Sequence, residues 1–526
     1  MDRLVIPSVA EESFPRLNQN RFLDFVPLVP RFTPLGVTSV LLLQTSTSRS
    51  ISATLPRFYF KLRAMRFALL ACLLFCLPTL AAEKPQGVRG DGRTDDTLAL
   101  QKALSALAAK GGTLELPPGQ YLLAGNLQIP TSVTLQGSWQ APHHAAYDKG
   151  STLLLTGGRG SENALPAITL QQSAALRGFT LLWPQQKWPN IVSYPWAIQG
   201  VGMHNTVENI TFVNAYNGIR LGHIADSELH LVRNVYGCVL RRGVFVDSTT
   251  DIGRLENVHF NPHYWNRSGH SSRPPQDGNP DLKISGYMTQ HLEAFIFGRS
   301  DWQSVTSCFV FGAKIGFRFI RTKSGASNAQ LSGVGADNCR IPVQIEEIQR
   351  LGVQFTNSTF QAAGGPPGTA VVTTVMAGGA AHFLNCTFWE APGGVAQLDG
   401  NTQVNFSDCQ FFAGARQGAI RATQGVLTVR GCSFNGEGVA IALKPNVKAA
   451  IITGNLQPRG LKVQNEIGTR AQIGLNEIAP HTPSFWRYEL WAFTPLLFLI
   501  ALIFWRHKWL QKRQWQEANK KPTLKT

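Results

Sequence analysis

The sequence of 526 residues predicts an all-β fold: a right-handed single-stranded parallel β-helix with a short N-terminal capping helix and a C-terminal transmembrane helix. Two observations predict the β-helix. Short segments that end in an aromatic residue recur along the chain, and Cys386, Cys409 and Cys432 follow one another at a constant spacing of 23 residues. Constant spacing of one residue type is typical of repeat architectures, in which each unit buries its apolar face against its neighbours.

The recurring segments are predicted to be short strands. Because strand side chains alternate between the two faces, the Phe and the residue two positions before it share the inner face, while the residue between them faces outward. The segments are ENITF (208–212), ENVHF (256–260), TNSTF (356–360), LNCTF (384–388), SDCQF (407–411) and RGCSF (430–434).

A second set of segments follows a glycine or a proline and predicts another strand in each coil. Several short strands per coil, separated by Gly and Asn turns, describe a parallel β-helix whose coils stack about 4.8 Å apart. The members are NGIRLG (217–222), IGFRFI (315–320), IPVQIE (341–346) and EGVAIA (437–442).

The three evenly spaced cysteines are interpreted as small apolar fillers of the coil interior, a role that free Cys plays well. Stacking at the coil spacing leaves their Cβ atoms beyond the ~3.8 Å mean of a disulfide, although an exported protein can oxidise its thiols and a disulfide stays open as the alternative. No His completes a metal-ligand set with them. We therefore expect no metal and no cofactor, and a requirement for Ca²⁺ is left open.

The N-terminal region reads as a secretory signal preceded by an extension. From Met65 the run MRFALLACLLFCLPTLAAEK has a basic residue, an apolar stretch and small residues before a cleavage point near Ala81 or Ala82, so residues 65–82 are predicted to be a signal peptide. Residues 1–64 precede a signal that ought to be N-terminal. They are interpreted as an extension outside the natural start or, alternatively, as a long leader.

The C-terminal region predicts a membrane anchor. From Leu490 to Trp505 every residue except Thr494 is apolar, aromatic residues flank this stretch, and a basic tail follows. The prediction is a transmembrane helix at 486–505 with a cytoplasmic tail at 506–526. The uncharged stretch of 16 residues is shorter than the ~20 that span a bilayer comfortably, so a buried amphipathic helix is the alternative. Together with the signal, this pattern places residues 83–480 outside the cytoplasm of a single-pass membrane protein.

The net charge of +17 does not indicate a nucleic-acid-binding protein. Ten of the seventeen net positive charges lie in residues 1–64 and 506–526, and the others are spread over the remaining chain. Nucleic-acid binding needs a basic patch on one face. We expect a polysaccharide and a membrane as partners and no nucleic acid, with the oligomeric state left open.

Residues 87–123, GVRGDGRTDDTLALQKALSALAAKGGTLELPPGQYLL, resemble the N-terminal region of the pectate-lyase-like superfamily of right-handed parallel β-helices. That region has a GDG-TDDT element, a short helix and a GGT-PPG-Y strand pair. The physical reading agrees, since Thr94 to Asp96 provides capping groups and Leu98 to Ala109 is amphipathic, as suits a helix that plugs the open end of the coil. Asp91, Asp95 and Asp96 are therefore expected to be structural.

The resemblance implies fold more specifically than activity, because the superfamily includes lyases, glycoside hydrolases, epimerases and phage depolymerases. Its polygalacturonase-like branch carries Asn-Thr-Asp, Asp-Asp, Gly-His-Gly and Arg-Ile-Lys along the coil. Here GHI (222–224) and RIP (340–342) correspond only in part, and no Asp-Asp pair follows Asp96. This departure argues against polygalacturonase chemistry.

Candidate catalytic residues are the outward-facing ones, because β-helix enzymes act on polymers along the outside of the coil. Register predicts that His230 (from ELHL) and His259 face outward on one set of strands, and that Arg220 and Arg318 do so on the other. Nearby turns supply carboxylates. The acidic candidates are Asp226, Asp247 and Asp251.

Two loops rich in aromatic residues are expected to bind sugar rings. The stretch 261–281 breaks the repeat, and long loops in compact domains are often functional; an earlier loop occupies 183–196. The candidate substrate-binding residues are Tyr264, Trp265, Trp188, Trp196 and, beyond these loops, Trp302.

The candidates permit two reaction types and one non-catalytic role. A glycoside hydrolase needs two carboxylates, which Asp226 with Asp247 or Asp251 would supply. A lyase or epimerase that acts on a uronic acid needs a base, as His230 or His259 would be, and a cation that holds the carboxylate. Arg220 or Arg318 fits that second role. The alternative to an enzyme is an anchored polysaccharide-binding or scaffold protein.

Overall fold

The computed structural model describes residues 83–139, 147–412, 419–478 and 502–513. The described residues between 83 and 478 form a right-handed parallel β-solenoid, as the sequence predicts. The predicted signal and extension, and all of the predicted transmembrane stretch except residues 502–505, lie outside the described residues. Residues 502–513 are helical. Within the described ranges no helix combines the length and the apolar character that a membrane crossing requires.

Each coil contributes to three parallel sheets, in the order sheet 1, sheet 2, sheet 3 along the chain. Sheet 1 is a ladder in which every strand pairs with the next coil. Its strands are Gly112–Leu116, Val133–Gly137, Ala175–Leu182, Thr206–Leu221, Leu231–Val246, Arg254–Phe260, Gln303–Thr306, Ser327–Ser332, Ile348–Thr356, Ala380–Leu384, Gln403–Ser407, Val426–Arg430, Ala449–Thr453 and Ala471–Gly474.

Sheet 2 follows a sharp bend. It takes the second part of four strands of sheet 1, Ala175–Leu182, Thr206–Leu221, Leu231–Val246 and Arg254–Phe260. Its own strands are Asp91–Asp95, Gly119–Leu123, Ser151–Leu155, Phe309–Phe311, Gly335–Asp337, Thr359–Gln361, Thr387–Trp389, Gln410–Phe412, Ser433–Phe434, Leu456–Gln457 and Glu477–Ile478.

Sheet 3 closes each coil. The long strands Thr206–Leu221 and Leu231–Val246 reach it without interruption. Its own strands are Leu127–Ile129, Ile168–Leu170, Trp196–Gly200, Glu293–Phe297, Ile315–Phe319, Ile341–Ile345, Thr369–Thr373, Gly394–Leu398, Ile420–Ala422, Ile441–Leu443 and Val463–Asn465, and a 3₁₀ turn, Gly468–Arg470, follows.

The bend between sheets 1 and 2 uses a residue in the left-handed conformation, which Asn adopts more readily than most residues. Asn209, Asn234 and Asn257 have φ of 57°, 52° and 54°. Their side chains form a ladder, in which Asn234 Nδ2 donates to Asn209 Oδ1 at 3.0 Å and Asn257 Nδ2 donates to Asn234 Oδ1 at 2.9 Å. The bend therefore keeps the same register from coil to coil.

The coil interior holds the predicted ladders of like residues. Cys386, Cys409 and Cys432 are buried free thiols, so their inward orientation is confirmed. Phe383 stacks on Phe406 with ring centroids 5.0 Å apart. Similar ring contacts join consecutive coils between Phe360 and Phe388, between Phe388 and Phe411, and between Phe411 and Phe434. The Phe column of the repeat therefore lies inside, as alternation predicts.

The helix α1, Thr97–Leu107, lies at the N-terminal end of the solenoid and buries Leu100 and Leu104. Asp96 is fully buried and accepts hydrogen bonds from the backbone N–H groups of Arg89 and Gly90. Asp91 accepts from the Thr94 and Arg93 amides, and these bonds lower the pKa of its carboxyl to about 2. These contacts agree with the expected structural roles of the GDG-TDDT carboxylates.

The expected outward orientation of His230 is wrong. Its side chain is fully buried, and Nδ1 lies 2.7 Å from the backbone oxygen of Ser227. The strand partner of Thr211 and His259 on the outer face is Tyr236 instead. The segment RNVYG (233–237) carries the same Asn bend as ENITF and ENVHF, but Gly237 replaces the aromatic residue. An alignment of the repeats on their final aromatic residue therefore misses this segment.

The long loop that breaks the repeat contains two helices, α2, His263–Asn266, and α3, Pro280–His291. Trp265 on α2 is fully buried and Tyr264 is 8% exposed. The indole Nε1 of Trp265 donates to Ser272 Oγ at 3.1 Å. The aromatic residues of the loop therefore belong to the core of the solenoid.

Candidate functional site

The outer face of sheet 3 carries a column of polar and aromatic side chains. Gln199, Arg220 and Phe245 are strand partners on consecutive coils, and two coils further on the column reaches Arg318. Both arginines face outward, as the alternation of Ile219 and Leu221 with Arg220 predicts. Any polymer that lies along this face contacts them.

Arg220 is a half-buried cation that contacts neutral groups. Its Nε donates to Gln199 Oε1 at 3.0 Å, its Nη2 donates to the same oxygen, and the guanidinium lies 5.6 Å from the centre of the Trp196 ring. Burial and the nearby Arg242 lower the pKa of Arg220 to about 10. Among the described residues, no carboxylate forms an ion pair with Arg220. A half-buried cation without a counter-ion favours an anionic ligand.

Arg318 differs from Arg220 because two carboxylates neutralise it. Its Nη1 lies 2.8 Å from Glu293 and its Nε lies 2.7 Å from Glu346. Burial is the largest single influence on the pKa of Arg318 and lowers it. The two ion pairs together outweigh burial, so the pKa is raised. The guanidinium is thus already occupied, and this weakens the prediction that Arg318 holds a substrate carboxylate.

His223 lies just beyond the end of the strand that carries Arg220, next to Asp247. Gly222 lets the two backbones come close together, because a Cβ at this position would lie 1.5 Å from the backbone oxygen of Asp247. The φ of Gly222 is 76°. Burial and Arg220 lower the pKa of His223, while Asp247 acts in the opposite direction. Neutral imidazole, the form that accepts a proton, is therefore favoured.

Asp247 is held in place by three donors to one oxygen. Its Oδ1 accepts from the backbone N–H groups of Ser248 and Arg299 and from Thr322 Oγ1, each at 2.8 Å. Asp226 is linked to it through Ser248, whose hydroxyl donates to Asp226 Oδ1 at 2.6 Å. The structure thus brings two of the predicted carboxylates together with His223 and Arg220.

The third predicted carboxylate, Asp251, lies in a turn on the way to sheet 1. It is exposed, and its Oδ1 accepts a hydrogen bond from the backbone N–H of Ile252. This contact is that of a turn residue.

A second charged group of residues lies where the chain enters sheet 3. The Tyr216 hydroxyl donates to Glu162 Oε1 at 2.9 Å, and Arg242 Nη1 lies 2.9 Å from the other oxygen of Glu162. Burial and Glu162 raise the pKa of Tyr216 to about 12. Arg241 pairs with Glu293 at 3.3 Å. Sequence reasoning missed this group because Glu162 and Arg242 are 80 positions apart.

His259 faces outward on sheet 2, and Arg220 lies on sheet 3, so the two residues are on different sets of strands, as predicted. Its Nδ1 lies 3.2 Å from the Tyr264 hydroxyl, and its ring makes an edge contact with Tyr236.

The predicted sugar-binding aromatic residues are mostly covered. Trp196 is 5% exposed beneath Arg220 and Phe245, and Trp188 is partly buried with its ring centre 6.5 Å from that of Trp265. Buried rings such as Trp265 offer no face to a polymer. Trp302 alone of the five candidates has a largely exposed side chain, at 60%.

Within the described residues there is no group of three or more His, Cys, Asp or Glu side chains that could hold a metal ion. The six cysteines in the described ranges are free and buried.

Comparison with known proteins supports the fold. Residues 84–172 match a family model described as rhamnogalacturonase A/epimerase, pectate lyase-like, which confirms the resemblance in the N-terminal region. A search of curated proteins found no match.

Among solved structures, the chain is similar to the pre-mature gene product 12 of bacteriophage phi29, with 12% identity, a TM-score of 0.51, and coverage of 78% of this chain and 57% of that chain. It is also similar to the A-module of the mannuronan C-5 epimerase AlgE4 of Azotobacter vinelandii, with 12% identity, a TM-score of 0.41 and coverage of 76% and 96%. A third is PfbA, a surface adhesin of Streptococcus pneumoniae, with 13% identity, a TM-score of 0.35 and coverage of 75% and 92%. At these identities the likeness concerns the fold alone.

Proposed function

We propose that this protein is a polysaccharide-processing enzyme, a lyase or an epimerase, that acts on a uronic-acid polymer at the outer face of sheet 3. The observation that carries the proposal is Arg220, a half-buried guanidinium that has Arg242 nearby and makes its hydrogen bonds to Gln199. A uronate carboxylate is the anion that such a site on a polymer-binding face would take. The family model at residues 84–172 is consistent with this class.

The chemistry follows from the neighbours of Arg220. The proton on the carbon beside the uronate carboxylate moves to His223, and the electrons of the broken C–H bond move into the carboxylate. Arg220 stabilises the added negative charge, a kind of contact typically worth 10²–10³ in kcat. Asp247 stabilises the imidazolium that His223 becomes. An epimerase then adds a proton from solvent water to the opposite face of the carbon. In a lyase the electron pair instead forms a C=C double bond while the glycosidic C–O bond breaks, and the leaving oxygen takes a proton from water.

The test compares Arg220→Ala with Arg318→Ala on acidic polysaccharides. We expect Arg220→Ala to lower kcat/KM about 100-fold and Arg318→Ala to lower it much less, because Glu293 and Glu346 already neutralise Arg318. Absorbance of unsaturated ends detects a lyase, and NMR of the polymer detects an epimerase. Equal losses in the two variants would contradict the assignment of Arg220.

A glycoside hydrolase is the second candidate, since Ser248 links Asp226 to Asp247. Release of reducing sugar without unsaturated ends, lost in both Asp226→Asn and Asp247→Asn, would favour it. Binding without any product would favour the polysaccharide-binding or scaffold role instead.

We also propose that residues 65–82 direct export and that residues 486–505 anchor the protein, with the β-helix domain on the extracytoplasmic side. The apolar and basic pattern of the sequence supports this topology. Protease added outside spheroplasts is expected to digest the β-helix and to leave the tail at 506–526 protected. Protection of the β-helix would reverse the orientation.

A further inference from the structure

A recess of about 260 Å³ opens on the outer face of sheet 2, away from the arginines of sheet 3. Phe309 and Trp389 line it, and both rings are partly exposed. Aromatic faces at a partly exposed surface suit the apolar faces of sugar rings. The recess therefore has a shape and a lining of its own.

Two glycines create the recess by removing side chains from one coil. Gly335 is the strand partner of Phe309 on one side and of Thr359 on the other. A Cβ at Gly335 would lie 2.6 Å from Cδ2 of Phe309, so only glycine lets that ring lie against the floor. Gly333 occupies the bend of the same coil with φ 59° and has open space where a side chain would begin.

Gly333 also interrupts the asparagine ladder at the bend. Asn385 Nδ2 donates to Asn357 Oδ1 at 2.8 Å, in the pattern of the earlier coils. The residue that would accept from Asn357 Nδ2 in turn is Gly333, which has no side chain. Among the described residues Nδ2 of Asn357 has no acceptor, and Asn357 lines the recess. A donor is thus left at the recess for a ligand.

Asp337 also lines the recess and supplies an acceptor. Burial and the nearby Glu390 raise the pKa of its carboxyl. The polar side chains that line the recess are a carboxyl, an amide and a hydroxyl, from Asp337, Asn357 and Thr359. Among the described residues, no Lys or Arg lines it. This charge pattern disfavours a uronate and favours a neutral sugar, whose hydroxyls both donate and accept hydrogen bonds.

We propose that this recess is a second carbohydrate-binding site, which takes a neutral hexose unit against Phe309 and Trp389 with hydrogen bonds from Asn357 and to Asp337. This proposal rests on the proposed function in one respect only: both assume that the protein binds a polysaccharide. A polymer or matrix held there is bound at a face other than the one where uronate chemistry is proposed. Two sites that engage one chain raise its effective concentration at each.

The test titrates the full-length protein with neutral hexaoses, mannohexaose and cellohexaose, and separately with hexagalacturonate, by calorimetry. We expect a neutral hexaose to bind and Trp389→Ala to weaken that binding about tenfold, as loss of one aromatic contact of about 1.4 kcal/mol would do. Met376→Ala, an 80% exposed residue, is the control that leaves binding unchanged.

The sharpest variant is Gly333→Asn. Asn tolerates positive φ and nothing obstructs a Cβ there, so the fold is retained while the new amide accepts from Asn357 Nδ2 and fills the recess. We expect this variant to lose neutral-sugar binding by about tenfold with unchanged thermal stability. Full binding in Gly333→Asn and Trp389→Ala, or no binding of either neutral hexaose to the wild type, would overturn the proposal.

The two proposed sites fail separately. Arg220→Ala is expected to lower hexagalacturonate turnover about 100-fold and to leave neutral hexaose binding intact. Binding of a neutral hexaose without any turnover of hexagalacturonate would therefore contradict the proposed enzyme activity and support the proposed carbohydrate site in the recess.

Discussion

The late coils at 380–457 and the early coils at 196–260 follow the same three-sheet plan but differ in composition. In the late coils Phe383 and Phe406 stack at 5.0 Å, and the cysteines repeat every 23 residues. In the early coils the aliphatic residues Ile210 and Val235 occupy the inner column that the cysteines occupy in the late coils, and the ends of the strands of sheet 3 carry Arg220 and His223. The difference indicates that regular stacking stabilises the solenoid, whereas the catalytic candidates lie where loops interrupt it.

The largest expected effect tests the stabilising half of this comparison. Phe383 is almost fully buried and stacks on Phe355 and on Phe406, each with ring centroids 5.0 Å apart. Phe383→Ala is expected to lower the free energy of unfolding by about 3–5 kcal/mol, because it removes buried apolar area and leaves a cavity. Denaturant titration measures this. Phe412→Ala, at a site 53% exposed, is the matched control, and similar losses in both variants would contradict the stack.

The next effect concerns His230 in the early coils. Burial lowers its pKa in the folded protein to about 4 from the ordinary 6.5, so between these values the unfolded chain binds a proton that the folded chain does not. The contribution of neutral His230 to the free energy of unfolding is fully present above pH 6.5. It falls as the pH drops toward 4, by about 3 kcal/mol at most. Unfolding titrations at several pH values measure the slope. His230→Gln should flatten it, and an unchanged slope would show that other groups cause it.

A similar effect, on activity instead of stability, tests the catalytic half. His223→Gln is expected to lower kcat about 100-fold, the lower end of what a general base contributes. Since burial and Arg220 lower the pKa of His223, wild-type activity should persist below pH 6.5 and fall only as the imidazole is protonated at lower pH. His382→Gln on sheet 1 is the control. If the activity of His223→Gln falls at acidic pH as that of the wild type does, His223 is not the base.

The smallest expected effect is on the surface of sheet 1. Glu208 lies between Arg177 and Arg233, at 3.3 Å and 2.5 Å, and the Arg233 side chain is 44% exposed. Arg233→Ala should change the free energy of unfolding by less than about 1 kcal/mol, since exposed ion pairs contribute little. Denaturant titration at low and high salt measures it. A loss comparable with that of Phe383→Ala would mean that surface charge, rather than the stack, holds the coils together.

Much of the fold was predictable because the signals are local. Alternation within each strand predicted that Cys409 and Phe411 face inward and that Arg220 faces outward, and the amphipathic run after Asp96 predicted helix α1. The His230 error arose from one local substitution, Gly237 in place of an aromatic residue, which moved the apparent register of a whole coil.

The candidate site was predictable only in part. The outward orientation of Arg220 and the position of Asp226 and Asp247 in nearby turns were readable. Which charges are already neutralised was not. Arg318 has the same place in its strand as Arg220, yet Glu293 and Glu346 occupy it. Partners 25 and 28 positions away are set by coil length and loop insertions, which no local pattern specifies.

By itself the sequence determined the parallel β-helix, its inward ladders and its helix-capped end, because strand alternation and a repeated spacing are properties of neighbouring residues. Only the tertiary structure decided that His230 and Trp265 are buried and that Gly333 and Gly335 open a recess. The physical reason is that stacking places residues more than twenty positions apart side by side. Burial, ion pairing and pKa depend on those neighbours across the coils.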